Sequence, residues 1–207
     1  MLADRLTPTR LRQLAILPLV FFLAQGIHYW QINQLGHMLW MCNIGNLVLA
    51  AGLFLEKPVL VRVAALWMVP GVGVWFLYYV MPNWGKFLSG GLSYSEVFGI
   101  LSSTLAHIGG FIVGMIVLAR IRVDRLAWLY AFGWYFLVQL ASRLITPAEL
   151  NVNLAHNIQP GWEQTFSSYW KFWLVLTLTT AVCLWLLGLL LQKLWPAAPG
   201  EIEGPVV

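Results

Sequence analysis

Charge is scarce in this sequence. Only 10% of its 207 residues are charged and 60% are hydrophobic, whereas a soluble domain is about one quarter charged. That scarcity argues against an ordinary water-soluble fold. The small basic excess, a net charge of +4, forms no stripe and accompanies no RNA- or DNA-binding motif, so nucleic acid is not an expected partner. Cysteine is nearly absent. Cys42 and Cys183 both fall in apolar runs, which excludes a disulfide framework. There is no Cys-x-x-Cys-His, no glycine-rich phosphate loop and no Gly-x-Ser-x-Gly elbow. No carboxylate lies deep in an apolar run, and no two histidines stand three or four residues apart, so neither a metal nor a cofactor is expected.

What the sequence does have is long apolar runs. Six stretches, roughly 14–29, 37–55, 59–80, 97–120, 126–145 and 169–191, occupy most of the chain. A membrane span needs about 20 mostly apolar residues. Backbone in lipid must satisfy its own hydrogen bonds, and unbroken apolar runs do not alternate as barrel strands do. The expected fold is therefore all-α: a polytopic membrane protein of six transmembrane helices, with residues 1–195 as one domain and 196–207 as a disordered cytoplasmic tail. The first run follows Arg5, Arg10 and Arg12 but lacks a small-x-small cleavage site, so it reads as a retained helix.

Lysine and arginine set the orientation. With the N-terminus inside, nine (Arg5, Arg10, Arg12, Lys57, Arg62, Arg120, Arg122, Arg125, Lys193) fall inside and three (Lys86, Arg143, Lys171) outside. Both termini are then cytoplasmic, in a multi-pass protein of the cell membrane. Met81 to Glu96 reads as a surface loop turning at Gly90 and Gly91, and 146–168 as a long outer loop. Pro70, Gly71 and Gly73 suggest a kink in the third run. Trp and Tyr near the run ends read as an aromatic belt.

In such a chain each buried polar residue needs a reason. Cys42 stands 14 residues before Glu56, and His107 stands 13 before Arg120. Both then lie about 20 Å above the inner surface, where a thiol and an imidazole can act as nucleophile and base. Met38, Leu39, Cys42, Gly45, Asn46 and Leu49 share one helical face; so do Ser103, Thr104, His107, Gly110, Phe111 and Gly114. Asn46 or Ser103 is a candidate oxyanion donor. Gln139, Ser142 and Arg143 form a second cluster, in which Arg143 either holds a lipid phosphate, pairs with Glu149 or Glu163, or reaches to water. Gln25 and His28 share a face in the same outer layer. The bland alternatives stand beside these: a lone membrane Cys is usually a small packing residue, and His28 with His107 is the spacing a haem- or quinone-binding subunit would use.

The run Trp40-Met-Cys-Asn-Ile-Gly-Asn-Leu-Val-Leu-Ala-Ala resembles the Cys-containing helix of the YwaF-type bacterial integral membrane proteins. The resemblance continues through His107, the Asn-x-Asn of Asn151 and Asn153, Pro160 and Tyr169-Trp170-Lys-Phe-Trp173. That family is related to an intramembrane ether-lipid acyltransferase and, more distantly, to the androgen-induced intramembrane hydrolases. The resemblance implies six spans, Cys42 as nucleophile, His107 as base, and an acyl lipid as substrate. It departs from this sequence at Trp40, where a second His near the nucleophile is expected.

The expected function is thus an intramembrane lipid-acyl hydrolase or acyltransferase with a Cys42–His107 dyad. Asn46, Ser103, Arg143, Asn151, Asn153 and His28 are its substrate-binding candidates, and membrane lipids its partners. A haem- or quinone-binding subunit and a non-enzymatic transporter or assembly partner are the alternatives. The sequence sets no oligomeric state.

Overall fold

A computed structural model describes residues 6–196. Residues 1–5 and the expected tail from 197 onward, including Arg5, lie outside the described residues. Among the described residues there is no strand; the chain is a bundle of six helical rods. These are α1 (Pro8–Gln31), α2 (Met41–Phe54), α3 (Pro58–Ser89), α4 (Tyr94–Leu118), α5 (Ala127–Ile145) and α6 (Tyr169–Leu194). Four of them, α1, α3, α4 and α6, are long and apolar enough to cross a membrane, which points to a membrane protein.

Local chemistry sets the helix starts. Thr7 accepts from the Arg10 N–H and is followed by Pro8, whose fixed φ and missing N–H suit the first turn. Pro58 plays the same part in α3. At α4, Ser93 and Glu96 form a capping box, and at α6 Ser168 accepts from the Lys171 N–H.

The rods depart from the expected runs in three places. The second run begins not at His37 but at Met41, and His37 lies in a short 3₁₀ segment, Leu35–Leu39. At 14 residues, α2 is only about 21 Å long. The third rod does not stop at Val80. It runs on through a π turn (Phe76–Val80) and Met81–Ser89, so most of the expected loop is helix. Pro82 is tolerated because it falls in the first turn after the π segment, and the real turn is Gly90–Gly91, both at positive φ. Third, α5 has 19 residues but carries Gln139, Ser142 and Arg143, and it is not among the four span-like helices.

The rods alternate in direction. At one end Arg12 pairs with Glu56 at 2.8 Å, Arg62 pairs with Asp124 at 2.5 Å, and Gln192 donates to the Asp124 carbonyl at 3.0 Å. We call this the arginine end. At the other, the histidine end, Lys86 pairs with Glu96, and the 146–157 segment packs against the start of α2. The rod α3 is central. One apolar cluster joins it to α1, α2 and α4 through Leu11, Leu49, Leu53, Val61, Met68 and Val117. A second joins it to α5 and α6 through Leu66, Leu118, Ala131, Leu184 and Leu191. Apolar side chains also cover the outside of α1 and α6, where Leu17, Val20, Leu23, Leu178, Leu186 and Leu190 are exposed. An apolar exterior around an apolar core is what lipid, not water, solvates.

Candidate functional site

The polar residues of the apolar runs collect where α1 to α4 meet, in the half toward the histidine end. His107 sits inside α4 in a second π turn, Leu105–Gly109. There the Gly110 N–H reaches back five residues to the Leu105 carbonyl instead of four to Ala106. The Ala106 carbonyl accepts instead from Asn46 Nδ2 of α2 at 2.8 Å. The same nitrogen donates to the Cys42 carbonyl, one turn earlier in its own helix, at 3.0 Å. One fully buried amide thus joins the backbone of residue 42 to the residue beside His107. Single π turns are rare and concentrate at functional positions.

His107 itself is buried. Its Nδ1 lies 2.8 Å from the Ser103 carbonyl. A carbonyl only accepts, so in the neutral ring Nδ1 carries the proton and Nε2 is the open acceptor. The ring stacks on Trp75 of α3 with centroids 5.1 Å apart and planes 16° apart. Trp75 Nε1 donates to Ser103 Oγ at 2.8 Å, and Ser103 keeps its own hydroxyl proton for another acceptor. Trp75 directly precedes the π turn of α3, so the two π turns flank this one contact.

The expected pair therefore lies on adjoining helices, but it is not hydrogen-bonded. Among the described residues no hydrogen bond joins Cys42 Sγ to His107, whose Nδ1 is held by Ser103. Cys42 packs on α3: a Cβ added to Gly71 would come within 3.3 Å of Cys42 Cβ. Asn46 is level with Ala106, so the Cys42 backbone stands about one turn, about 6 Å, nearer the histidine end than the His107 backbone, and the His107 ring itself reaches back one turn in the same direction to the Ser103 carbonyl.

Of the other candidates, Asn46 and Ser103 join this cluster. Asn46 spends Nδ2 on two carbonyls and cannot donate to an oxyanion; Ser103 can. His28 packs against Gly99 of α4, where an added Cβ would stand 2.6 Å from Nε2. Gly99 is two turns, about 12 Å, from His107 along α4. The two imidazoles do not face one another as ligands of one iron.

Asn151, Asn153 and Arg143 belong to a separate polar cluster at the histidine end. Asn153 Oδ1 accepts from the Met41 N–H at 3.1 Å, and its Nδ2 donates to the Leu39 carbonyl at 2.7 Å and to Ser142 Oγ at 2.9 Å. It caps α2 from more than a hundred residues away and fastens it to α5. Asn151 Oδ1 accepts from the His156 and Asn157 N–H groups, at 3.1 and 2.9 Å. Both asparagines sit at positive φ, a conformation Asn tolerates better than most residues. Arg143 donates to the Ala155 carbonyl at 2.5 Å and lies 5.2 and 5.3 Å from the Tyr169 and Trp170 rings. Among the described residues it pairs with neither Glu149 nor Glu163. Gln139 links Tyr135 and Trp173 at 2.8 and 2.6 Å.

Sequence reasoning missed Trp75, Tyr29 and Asn43. The Tyr29 hydroxyl oxygen faces the amide N–H groups of Gln25 and Asn43. The available signal for Trp75 was its position between Gly73 and the Tyr78–Tyr79 pair, which the aromatic-belt reading absorbed. Among the described residues there is no group of three or more His, Cys, Asp or Glu side chains able to hold a metal. Comparison with known protein families, curated proteins and solved structures yields no match to this chain.

Proposed function

We propose that the protein is a six-span membrane enzyme, with both termini cytoplasmic, that cleaves or transfers lipid acyl groups through Cys42 and His107. The observation that carries this reading is His107. It is a buried imidazole whose Nδ1 is locked by a backbone carbonyl, so that Nε2 is left as a base, beside a helix bearing the thiol. In the proposed reaction His107 Nε2 takes the Cys42 proton and the thiolate sulfur bonds to the ester carbonyl carbon. The ester C–O bond breaks, and the leaving alkoxide takes the proton back from His107. Water or a lysolipid hydroxyl then attacks the thioester by the same route, and the thiol is restored. Ser103 donates to the oxyanion, and Arg143 at the histidine end holds the phosphate. The reaction requires the Cys42 sulfur and His107 Nε2 to come within hydrogen-bond reach when substrate binds, as catalytic hydrogen bonds commonly tighten on binding.

The test is acyl trapping in the detergent-purified full chain. A phospholipid with a clickable acyl chain should give a hydroxylamine-labile adduct. Cys42→Ala should abolish it, and His107→Ala should slow it about a hundredfold or more, the ordinary worth of a general base. An adduct that survives Cys42→Ala, or no adduct across ester lipids, sinks the reading. One observation favours a second reading, a ligand-holding membrane subunit. Gln25 Oε1 and Asn43 Oδ1 are buried acceptors without a donor, which a hydroxyl-bearing ligand such as a quinol would satisfy.

A further inference from the structure

At the arginine end, α5 and α6 enclose a cavity of about 220 Å³, lined by Arg125, Trp128, Trp185, Leu189 and Gln192. Its construction is readable. Gly188 of α6 faces Trp128 of α5, where a Cβ would stand at ordinary contact distance, 3.5 Å, from Trp128 Cβ. The two indoles and Leu189 form the apolar walls of the cavity. Gln192 closes the floor by donating Nε2 to the Asp124 carbonyl at 3.0 Å.

The carboxylate nearest this cavity is already taken. Asp124, next to Arg125 in sequence, has its carboxylate committed. Oδ2 is held by Arg62 at 2.5 Å, and Oδ1 accepts the Leu126 N–H at 3.0 Å. Arg125 is exposed and meets no protein partner among the described residues. The site therefore offers a guanidinium without an acidic partner among the described residues, beside an indole-lined slot, at the end of the bundle where basic residues are in excess. A guanidinium matches a phosphate in fork geometry, and indoles sit at the level of lipid head groups.

We propose that this cavity holds the head group of an anionic phospholipid, its phosphodiester on Arg125 and its glycerol and upper chains against Trp128, Trp185 and Leu189. The inference rests on the membrane reading of the chain, not on the acyl chemistry. If the chain proves extractable without detergent, the membrane reading is lost. If it is membrane-extracted but indifferent to lipid, only this inference is lost.

The experiment is native mass spectrometry of the detergent-purified full chain, delipidated and then titrated with phosphatidylglycerol, phosphatidylcholine or inorganic phosphate. We expect phosphatidylglycerol to bind more tightly than phosphatidylcholine. Arg125→Gln should weaken phosphatidylglycerol about fivefold, the worth of one basic side chain at an anionic surface. Arg120→Gln, at an exposed arginine of the same end outside the cavity, should leave it unchanged. Trp185→Leu keeps the charge and removes a wall; it should weaken both phospholipids, which keeps the test open if Arg125→Gln does not fold. Equal losses in Arg120→Gln and Arg125→Gln would show diffuse surface attraction and overturn the site. So would equal binding of the two phospholipids, or inorganic phosphate competing at millimolar concentration.

Discussion

Replacing Gly110 with alanine tests the joint that positions the proposed base. A Cβ at Gly110 would stand 3.1 Å from Asn46 Cγ and 3.2 Å from Nδ2, with the amide oxygen closer still. Asn46 has no room to yield: it is fully buried, and Nδ2 is pinned by the Cys42 and Ala106 carbonyls. Swinging the amide away breaks both bonds. Side-chain hydrogen bonds inside membrane proteins are worth about 0.6 to 1.7 kcal/mol each. Forcing a methyl into a packed contact costs about 1 to 3 kcal/mol. The two routes bound the loss at about 1 to 3 kcal/mol, since the structure takes the cheaper one. The assay is reversible unfolding in mild detergent, with Asn46→Ala and the double variant completing a cycle. Asn46→Ala alone destabilises by stranding the Ala106 carbonyl. In that background Gly110→Ala should be nearly neutral, giving a coupling of at least about 1 kcal/mol. Additive effects, or a Gly110→Ala protein as stable as the parent, would refute the claim that this amide joins the two helices.

Other consequences follow from the same geometry. Asn153→Leu removes the acceptor of the Met41 N–H and the donor to Leu39 and Ser142; it should cost about 2 to 4 kcal/mol in detergent unfolding and expose the 146–157 segment to protease before global melting. Gly99→Val should evict His28 from its seat on α4 and lower the melting temperature, while His28→Ala in the same chain restores most of the loss. Trp75→Phe should keep the stack on His107 but lose the bond to Ser103, and be milder than Trp75→Ala in both stability and acyl trapping. For orientation, single cysteines at Arg125 and Asn157, placed in a chain with Cys42 and Cys183 replaced by serine, should react with an impermeant thiol reagent from opposite sides of the membrane. Labelling of both from one side contradicts the six-span topology.

The apolar runs made the helices legible, because a backbone in lipid has few alternatives to the helix. The runs did not reveal the ends. Residues 81–89 look like a loop through Pro82, Asn83 and Gly85, yet they continue a helix because a Pro in the first turn after a π segment loses no bond that the helix needs. His37 to Trp40 look like helix by hydropathy. They turn instead because the Asn43 side chain takes the His37 carbonyl at 2.9 Å and Asn153 takes the Leu39 carbonyl. A contact made across more than a hundred residues leaves no local signature. The same reason limits the site. Spacing placed Cys42, Asn46, Ser103 and His107 in one region, since depth along a helix is arithmetic. Which side chains meet depends on helix rotation and on the π turn at Leu105–Gly109, which shifts the register after it, and neither follows from residue counts.

The short second helix bears directly on how a substrate of the proposed reaction would reach Cys42. At about 21 Å, α2 spans less than the roughly 30 Å of a bilayer core. Irregular backbone is tolerated at that depth only where protein covers it and satisfies its polar groups. Here the 146–157 segment does both, since Asn153 serves the Leu39 carbonyl and the Met41 N–H in the first turn of the helix. Cys42 is the next residue, so in the six-span reading the thiol lies directly beneath this cover and not in an open vestibule. The cover is itself tied down by Asn151, by Arg143 on the Ala155 carbonyl, and by Tyr169 Oη on the same carbonyl at 2.6 Å. An acyl ester reaching Cys42 must then enter sideways from the bilayer. A membrane-embedded ester should therefore acylate Cys42 in the intact protein, and a short water-soluble thioester should not until Asn153→Leu loosens the cover. Rapid acylation of the parent by the soluble compound would place an aqueous path where this arrangement allows none.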